Sequence, residues 1–251
     1  MSRYDFSAQR LYVNAPLAEA AQIDLDHVQT NYVRNVLRLG DGAAILVFNG
    51  RDGEWKTAVA ASRRKHVTLI VNEMTRAQEP RPDLHYLFAP LKHARQDYMV
   101  EKAVEMGAGL LRPVLTRRTQ TNRINGDRMR AHAIEAAEQC GILTIPDIAS
   151  VIKLDALLDT WDKDRLLVFC DEDAPSDDPV AALRQRADAR GPSPLAVLVG
   201  PEGGFDATER EALLALPHVL RLPLGPRILR ADTAAVAALA LLQATLGDWR
   251  G

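Results

Sequence analysis

Two uninterrupted apolar runs, RLLVFC at 165–170 and LAVLVG at 195–200, constrain the fold more than any other feature. A strand with one face in water alternates polar and apolar residues, and these do not. Both of their faces must be covered, as in parallel strands flanked by helices. LHYLFA at 84–89 reads as another strand, and so does HVLRLPLG at 218–225. LLRPVL at 110–115 is a strand that Pro113 places near an edge. Helical periodicity fills the intervals. Met99, Val100, Ala103 and Val104 share a face within 95–106, and Gly107 is fit to end that helix. Residues 127–140 form a second helix, DATEREALLAL at 206–216 opens with an Asp206/Glu209 capping box, and an Ala- and Leu-rich helix runs from about 233 to 246. Residues 84–251 are therefore expected to form an α/β domain with a mostly parallel sheet.

The first 75 residues differ in pattern. LYV at 11–13, AAILVF at 43–48 and HVTLIV at 66–71 are short candidate strands, with Asn49-Gly50 and Asp52-Gly53 as turn signals. NYVRNVLRL at 31–39 predicts a short helix with Val33, Val36 and Leu37 on one face, stopped by Gly40-Asp41-Gly42. RAQEPRPD at 76–83, with two prolines and four charges, is the best candidate linker.

The formal net charge of -2 gives no general affinity for nucleic acid, so any such role needs a local basic surface. The strongest basic run is 117–130, with five arginines and one acid; Arg63, Arg64 and Lys65 make a second patch. The segment 171–179 has five acids and no base, and is expected to be a solvated loop away from any RNA path. Cys140 and Cys170 form no disulfide framework or zinc spacing. The opening MSRYDFSAQRLYV lacks the apolar core of a signal peptide, and no run of about 18 apolar residues is present. A soluble, cytoplasmic chain is expected.

The sharpest local motif is LVGPEGGF at 198–205, in which a buried strand runs into a glycine turn and then a capped helix. Such a turn permits close backbone approach and offers N–H groups to a polar ligand; it also serves as a plain tight turn. It is neither a Walker A loop nor the dinucleotide fingerprint. The second motif is LPLGPRILRADTAA at 222–235, where Asp232 or Thr233 is placed to cap the helix. It sets Arg227 and Arg230 beside a helix N-terminus, a position suited to anions and nucleobases or to surface ion pairs.

With LKHARQDYMVEKAVEMG at 91–107, RPVLTRR at 112–118, AEQC at 137–140, NVLRLGDG at 35–42 and FNGRDGEW at 48–55, these motifs closely resemble the bacterial 16S rRNA (uracil(1498)-N(3))-methyltransferase family. That family belongs to the SPOUT class of knotted methyltransferases, and the resemblance covers nearly the whole chain. It implies a PUA-like β-barrel over 1–75, a linker over 76–83, and an α/β catalytic domain over 84–251 with a C-terminal trefoil knot. It further implies a homodimer, S-adenosylmethionine as cofactor, 16S rRNA as partner, and neither metal nor membrane.

Carried over residue by residue, the resemblance assigns Leu198, Val199, Gly200, Pro201, Glu202, Gly203 and Gly204 to one cofactor loop. It assigns Leu222, Pro223, Leu224, Gly225, Ile228, Leu229 and Arg230 to the other, with Leu198, Leu224 and Leu229 as apolar walls. The chain departs from the family at Asp232, where glutamate is usual, at Ile142, where arginine is common, and at Asn31, where histidine is frequent.

Methylating uracil N3 requires removal of a weakly acidic proton and stabilisation of charge on the flanking carbonyl oxygens, which alignment and preorganised donors supply. Arg230 is the first candidate for charge stabilisation, and Glu202 and Asp232 are candidate proton acceptors; solvent is the alternative. Lys92, Arg95, Arg117, Arg118, Arg123 and Arg128, with Arg63, Arg64 and Lys65, are the candidate RNA contacts. Other readings are a SPOUT enzyme for a different RNA, a non-catalytic assembly factor on the same fold, and an unrelated nucleotide-binding protein.

Overall fold

The computed structural model describes residues 8–63, 66–121, 123–174, 178–190 and 194–250, with the side chains of 61–63, 93, 187–190 and 250 outside the description. The chain divides into two compact units, 1–81 with 134–145, and 82–133 with 146–251.

The first unit holds β1 (Arg10–Tyr12), β2 (Gln22–Asp24), α1 (His27–Asn31), β3 (Ala44–Phe48), β4 (Glu54–Arg63) and β5 (His66–Arg76). They form a five-stranded sheet in the order β1-β3-β4-β5-β2, with β1 parallel to β3 and the other pairs antiparallel. Three register shifts in the β4–β5 pair supply local twist, and the sheet curls around Leu11, Ile45, Val47, Val59 and Leu69. The described pairings leave β1 and β2 as edges, so the expected PUA-like barrel takes the form of a small curled sheet.

The 31–39 helix is corrected. Asp26 and Gln29 cap α1 four residues earlier, and the chain then passes into a π-helical turn over Tyr32–Val36. The Leu37 N–H donates to the Tyr32 carbonyl at 2.9 Å, five residues back rather than four. That extra residue shifts the helical phase. Val33 is buried, while Val36 turns outward and is 60% exposed.

Between β3 and β4 the FNGRDGEW segment builds a turn from its own side chains. Asn49 donates to Asp52 (2.6 Å) and to the Ala15 carbonyl (2.9 Å), and Trp55 Nε1 donates to the Asp52 carbonyl (2.8 Å). Beyond the turn the Glu54 carboxylate is buried. It accepts from Arg10 Nε at 2.8 Å, from Arg76 at 2.7 and 3.0 Å, and from Thr75 at 2.8 Å. Burial raises its pKa, but the bonds from Arg76, Thr75 and Arg10 outweigh it and hold the carboxyl below its ordinary range.

The second unit begins with β6 (Leu84–Phe88), α2 (His93–Glu105), β7 (Leu110–Leu115) and the start of α3 (Gly126–Cys140). It continues through β8 (Asp147–Ile148), β9 (Ile152–Lys153), α4 (Leu154–Asp159), β10 (Leu166–Cys170), α5 (Pro179–Arg190), β11 (Leu195–Val199), α6 (Ala207–Leu214), β12 (Val219–Leu222) and α7 (Ala231–Thr245). The strand order is β12-β10-β11-β6-β7-β8, with β9 also on β7, and every described pair is parallel. The two apolar runs are thus neighbours in the sheet interior, as their lack of alternation requires.

β7 lies near the edge, as Pro113 led one to expect. Beyond β7, β8 pairs with Leu110 and Leu111, and β9 with Val114 and Leu115, so the proline falls in the gap between them. Leu87, Phe169, Leu198 and Leu213 pack in the core on the face that contains α4 and α6. Strand alternation turns Tyr86 and Phe88 to the other face, where they stack at 5.1 Å. α7 packs against α2 and α5.

Candidate active site

The parallel strands all end on one side of the sheet, where ligands of open α/β sheets bind. The loops leaving β10, β11 and β12 there surround a cleft of about 270 Å³. Val199, Gly200, Pro201, Glu202, Gly203 and Gly204 line it from one direction. Leu222, Pro223, Leu224, Gly225, Ile228 and Leu229 line it from another, so two segments separate in sequence meet.

Backbone conformation explains two of the glycines. Gly225 has φ +86°, a region costly for residues with a Cβ. A Cβ on Gly200 would lie 2.8 Å from the Phe205 ring. Phe205 itself packs edge-on to Phe169 at 6.1 Å, so it has little room to yield.

Three assigned residues fall elsewhere. The Leu198 side chain is fully buried in the core, so its expected role as a wall is corrected; in a strand its neighbour Val199 points the opposite way and lines the cleft. Arg230 does not line this cleft. It precedes α7 and borders an adjacent depression with Tyr98, Asp232, Thr233 and Val236. Asp232 is not the helix cap either: it lies in the first turn of α7, where a carboxylate suits the helix dipole, and no side chain caps that end. Arg230 is exposed and forms no ion pair among the described residues.

Arg95, from the first turn of α2, ties these parts together. Its guanidinium donates to Glu202 and lies 3.8 Å from Asp232. Both candidate proton acceptors therefore share one cation.

The basic residues divide similarly. Arg118 lines the cleft and donates to the Gly203 carbonyl at 2.6 Å. Arg117 pairs with Asp206 at 3.0 Å, and its backbone N–H donates to Glu209 at 2.7 Å. Arg128 binds Asp97 with two bonds, 2.9 and 2.7 Å. Lys92 and Arg123 are exposed, with no ion pair among the described residues. Arg64 and Lys65 lie outside the described residues, as does the side chain of Arg63.

The acidic segment is where sequence reasoning missed most. Asp171, Glu172 and Asp173 line the cleft, and Asp171 is buried. Its carboxylate accepts from Arg210 at 3.1 Å through each oxygen and from Arg221 Nε at 2.5 Å. Burial raises its pKa, and the bonds from Arg210 and Arg221 more than reverse that, holding it below its ordinary range. The solvated-loop expectation therefore fails at Asp171, while Glu172 and Asp173 are exposed as expected; residues 175–177 lie outside the described residues. The available signal was position, since a residue directly after a buried parallel strand faces the ligand side. Cys170, next to it, is pushed up to about 12 by burial and stays a neutral thiol.

The cleft's composition fits an adenosyl cofactor: apolar side chains for a base, backbone N–H groups of a glycine turn for polar edges, and a charged rim.

The parallel sheet with a loop-built cleft and the curled β unit belong to the RNA methyltransferase class. Residues 77–243 match the RNA methyltransferase domain family, and 28–72 match its PUA domain. The chain is 30% identical over 233 residues to ribosomal RNA small subunit methyltransferase E of Rickettsia conorii, covering 92% of this chain and 93% of that one. It belongs to the ribosomal RNA small subunit methyltransferase E family.

Among solved structures, a Legionella pneumophila methyltransferase in complex with its cofactor SAM superposes with TM-score 0.82 at 26% identity, covering 94% of this chain and 97% of that one. The Neisseria gonorrhoeae ribosomal RNA small subunit methyltransferase E, bound to S-adenosyl methionine, gives 0.81 at 25%, covering 96% and 99%.

Proposed function

We propose that this chain methylates ring nitrogen N3 of one uridine, conventional position 1498, in the 16S rRNA of the small ribosomal subunit, using S-adenosylmethionine. The convergence of the 199–204 and 222–229 loops on one cleft carries this reading. The cofactor supplies an electrophilic methyl group on a positively charged sulfur. Leu224, Ile228 and Leu229 give its base apolar contact, and Gly200–Gly204 present backbone donors. The loops leaving β11 and β12 are threaded as a trefoil knot, the protein acts as a homodimer in the cytoplasm, and no metal takes part. Residues 1–75 form the RNA-binding unit, 76–83 the linker and 84–251 the methyltransferase domain.

Glu202, on the cleft wall, takes the N3 proton on a carboxylate oxygen. Arg230, free of ion pairs among the described residues, stabilises the negative charge left as the proton departs. Asp232 orients Arg95. The target base must leave its stack to arrive, and Arg123 and Lys92 are free to hold the flanking phosphates.

The test is methyl transfer to small-subunit particles lacking the modification, followed by nucleoside mapping. N3-methyluridine at a single position is the expected product. Methyl incorporation at a ribose, or at another ring atom, would overturn the assignment.

A further inference from the structure

Beside the cofactor cleft lies a second cavity of about 350 Å³, lined by Pro90, Leu91, Lys92, Ala94, Arg95, Gln120, Thr121, Pro201 and Glu202. Pro201 and Glu202 line both hollows, so they form a common wall. The two hollows are therefore adjacent. The cavity also lies at the carboxyl ends of its strands, between the loops that follow β6, β7 and β11.

Its lining combines flat apolar surface with unused polar groups. Pro90, Leu91 and Pro201 offer faces on which a planar ring can rest. The side chains of Gln120 and Thr121 make no hydrogen bond among the described residues. Arg95 and Glu202 face each other there, 35% and 42% exposed. A pair so open to water costs little to rearrange when a ligand enters.

This donor and acceptor set matches one pyrimidine. Uracil presents a carbonyl acceptor, the N3–H donor and a second carbonyl acceptor in a row. A carboxylate only accepts and a guanidinium only donates. Glu202 opposite N3–H, with Arg95 and the Gln120 amide on the two carbonyl oxygens, satisfies all three positions. Cytosine places a bare lone pair at N3 and an amino donor at position 4. It would set Glu202 against a lone pair and a donor against a donor.

We infer that this cavity receives the target uracil, and that Arg95 and Gln120 are its specificity-determining residues. The inference rests on the proposed N3 chemistry and extends it by naming the receptor of the base. It also gives Arg95 a role distinct from the general phosphate contact expected from sequence.

The test is binding, separate from turnover. A fluorescent small-subunit rRNA fragment carries either uridine or cytidine at the target position. Its affinity is measured by anisotropy with saturating S-adenosylhomocysteine, which donates no methyl. The wild-type protein is expected to prefer uridine by about tenfold, the scale of one mismatched buried hydrogen bond. Arg95→Ala should bring that preference close to one, and Arg95→Lys should restore little of it, because lysine keeps the charge and loses the fork. Gln120→Ala, at an exposed position with no fold to disturb, should lower the preference severalfold. Calorimetry with S-adenosylhomocysteine should give near-wild-type affinity in all three variants, marking them as folded.

If Arg95→Ala and Gln120→Ala weaken both RNAs equally and the ratio survives, these residues are phosphate contacts and the inference is overturned. Nucleoside mapping of wild-type product separates this from the broader assignment. N3-methyluridine with an unchanged ratio in the variants sinks only the uracil cavity, whereas absence of N3-methyluridine sinks the proposed chemistry itself.

Discussion

Replacing Asp171 by Asn tests how the cleft is held open. The carboxylate ties three elements together: it directly follows β10, Arg210 comes from α6 and Arg221 from β12. Its side chain is 5% exposed, and those of the two arginines are 27% and 25% exposed. Removing one partner of a fully buried ion pair costs about 3–5 kcal/mol. Here water reaches both guanidiniums and recovers part of that, leaving roughly 2–3 kcal/mol. For a unit of this size the loss lowers Tm by about 5–10 °C.

The pH dependence has a definite sign. The folded-state pKa is depressed, because the arginine bonds outweigh burial. Asp171 therefore stabilises fully above its unfolded value of about 3.9, and the contribution disappears as pH falls through the lower folded value. Thermal melts followed by near-ultraviolet circular dichroism at pH 7 and in steps below pH 4 measure this. The gap between wild type and Asp171→Asn should be largest at pH 7 and should close in acid. Equal melting temperatures at pH 7, or a gap independent of pH, would refute the reasoning.

Gly225→Ala forces a Cβ into φ +86° and should cost roughly 1–2 kcal/mol, with weaker cofactor binding by calorimetry; an unchanged melt and affinity would count against the loop geometry. Arg123→Ala should weaken RNA binding, with a loss that shrinks as salt rises, whereas Arg128→Ala should do less because Arg128 already binds Asp97; anisotropy titrations at two salt concentrations compare them. Arg230→Ala should slow single-turnover methyl transfer by about 100-fold without lowering Tm, since no ion pair is lost; a near-wild-type rate removes Arg230 from the chemistry.

Much of this molecule is written in local pattern. The lack of alternation in 165–170 and 195–200 required strands covered on both faces, and β10 and β11 are adjacent in the sheet. The capping box at Asp206 and Glu209 forms as its spacing demands. The glycine turn at 200–204 follows its strand directly and lines the cleft. These features depend on residues a few positions apart, so one chain segment contains both cause and effect.

Other features depend on partners far along the chain. Val36 faces outward because one hydrogen bond skips a residue, a choice invisible to helical periodicity. Asp171 reads as one acid in a run of acids until β12 and α6 bring Arg221 and Arg210 against it. Arg95 and Glu202 are 107 residues apart, and their meeting turns two separate candidates into one pair. Sequence by itself determined the main strands β6, β7, β10, β11 and β12, the helices α2, α3, α6 and α7, the family and the two loops, because short-range sterics and burial period act within each segment. Tertiary structure alone decided which charges are neutralised and which hollows share a wall, because charge pairing and cavity shape are set by the distance between segments in space.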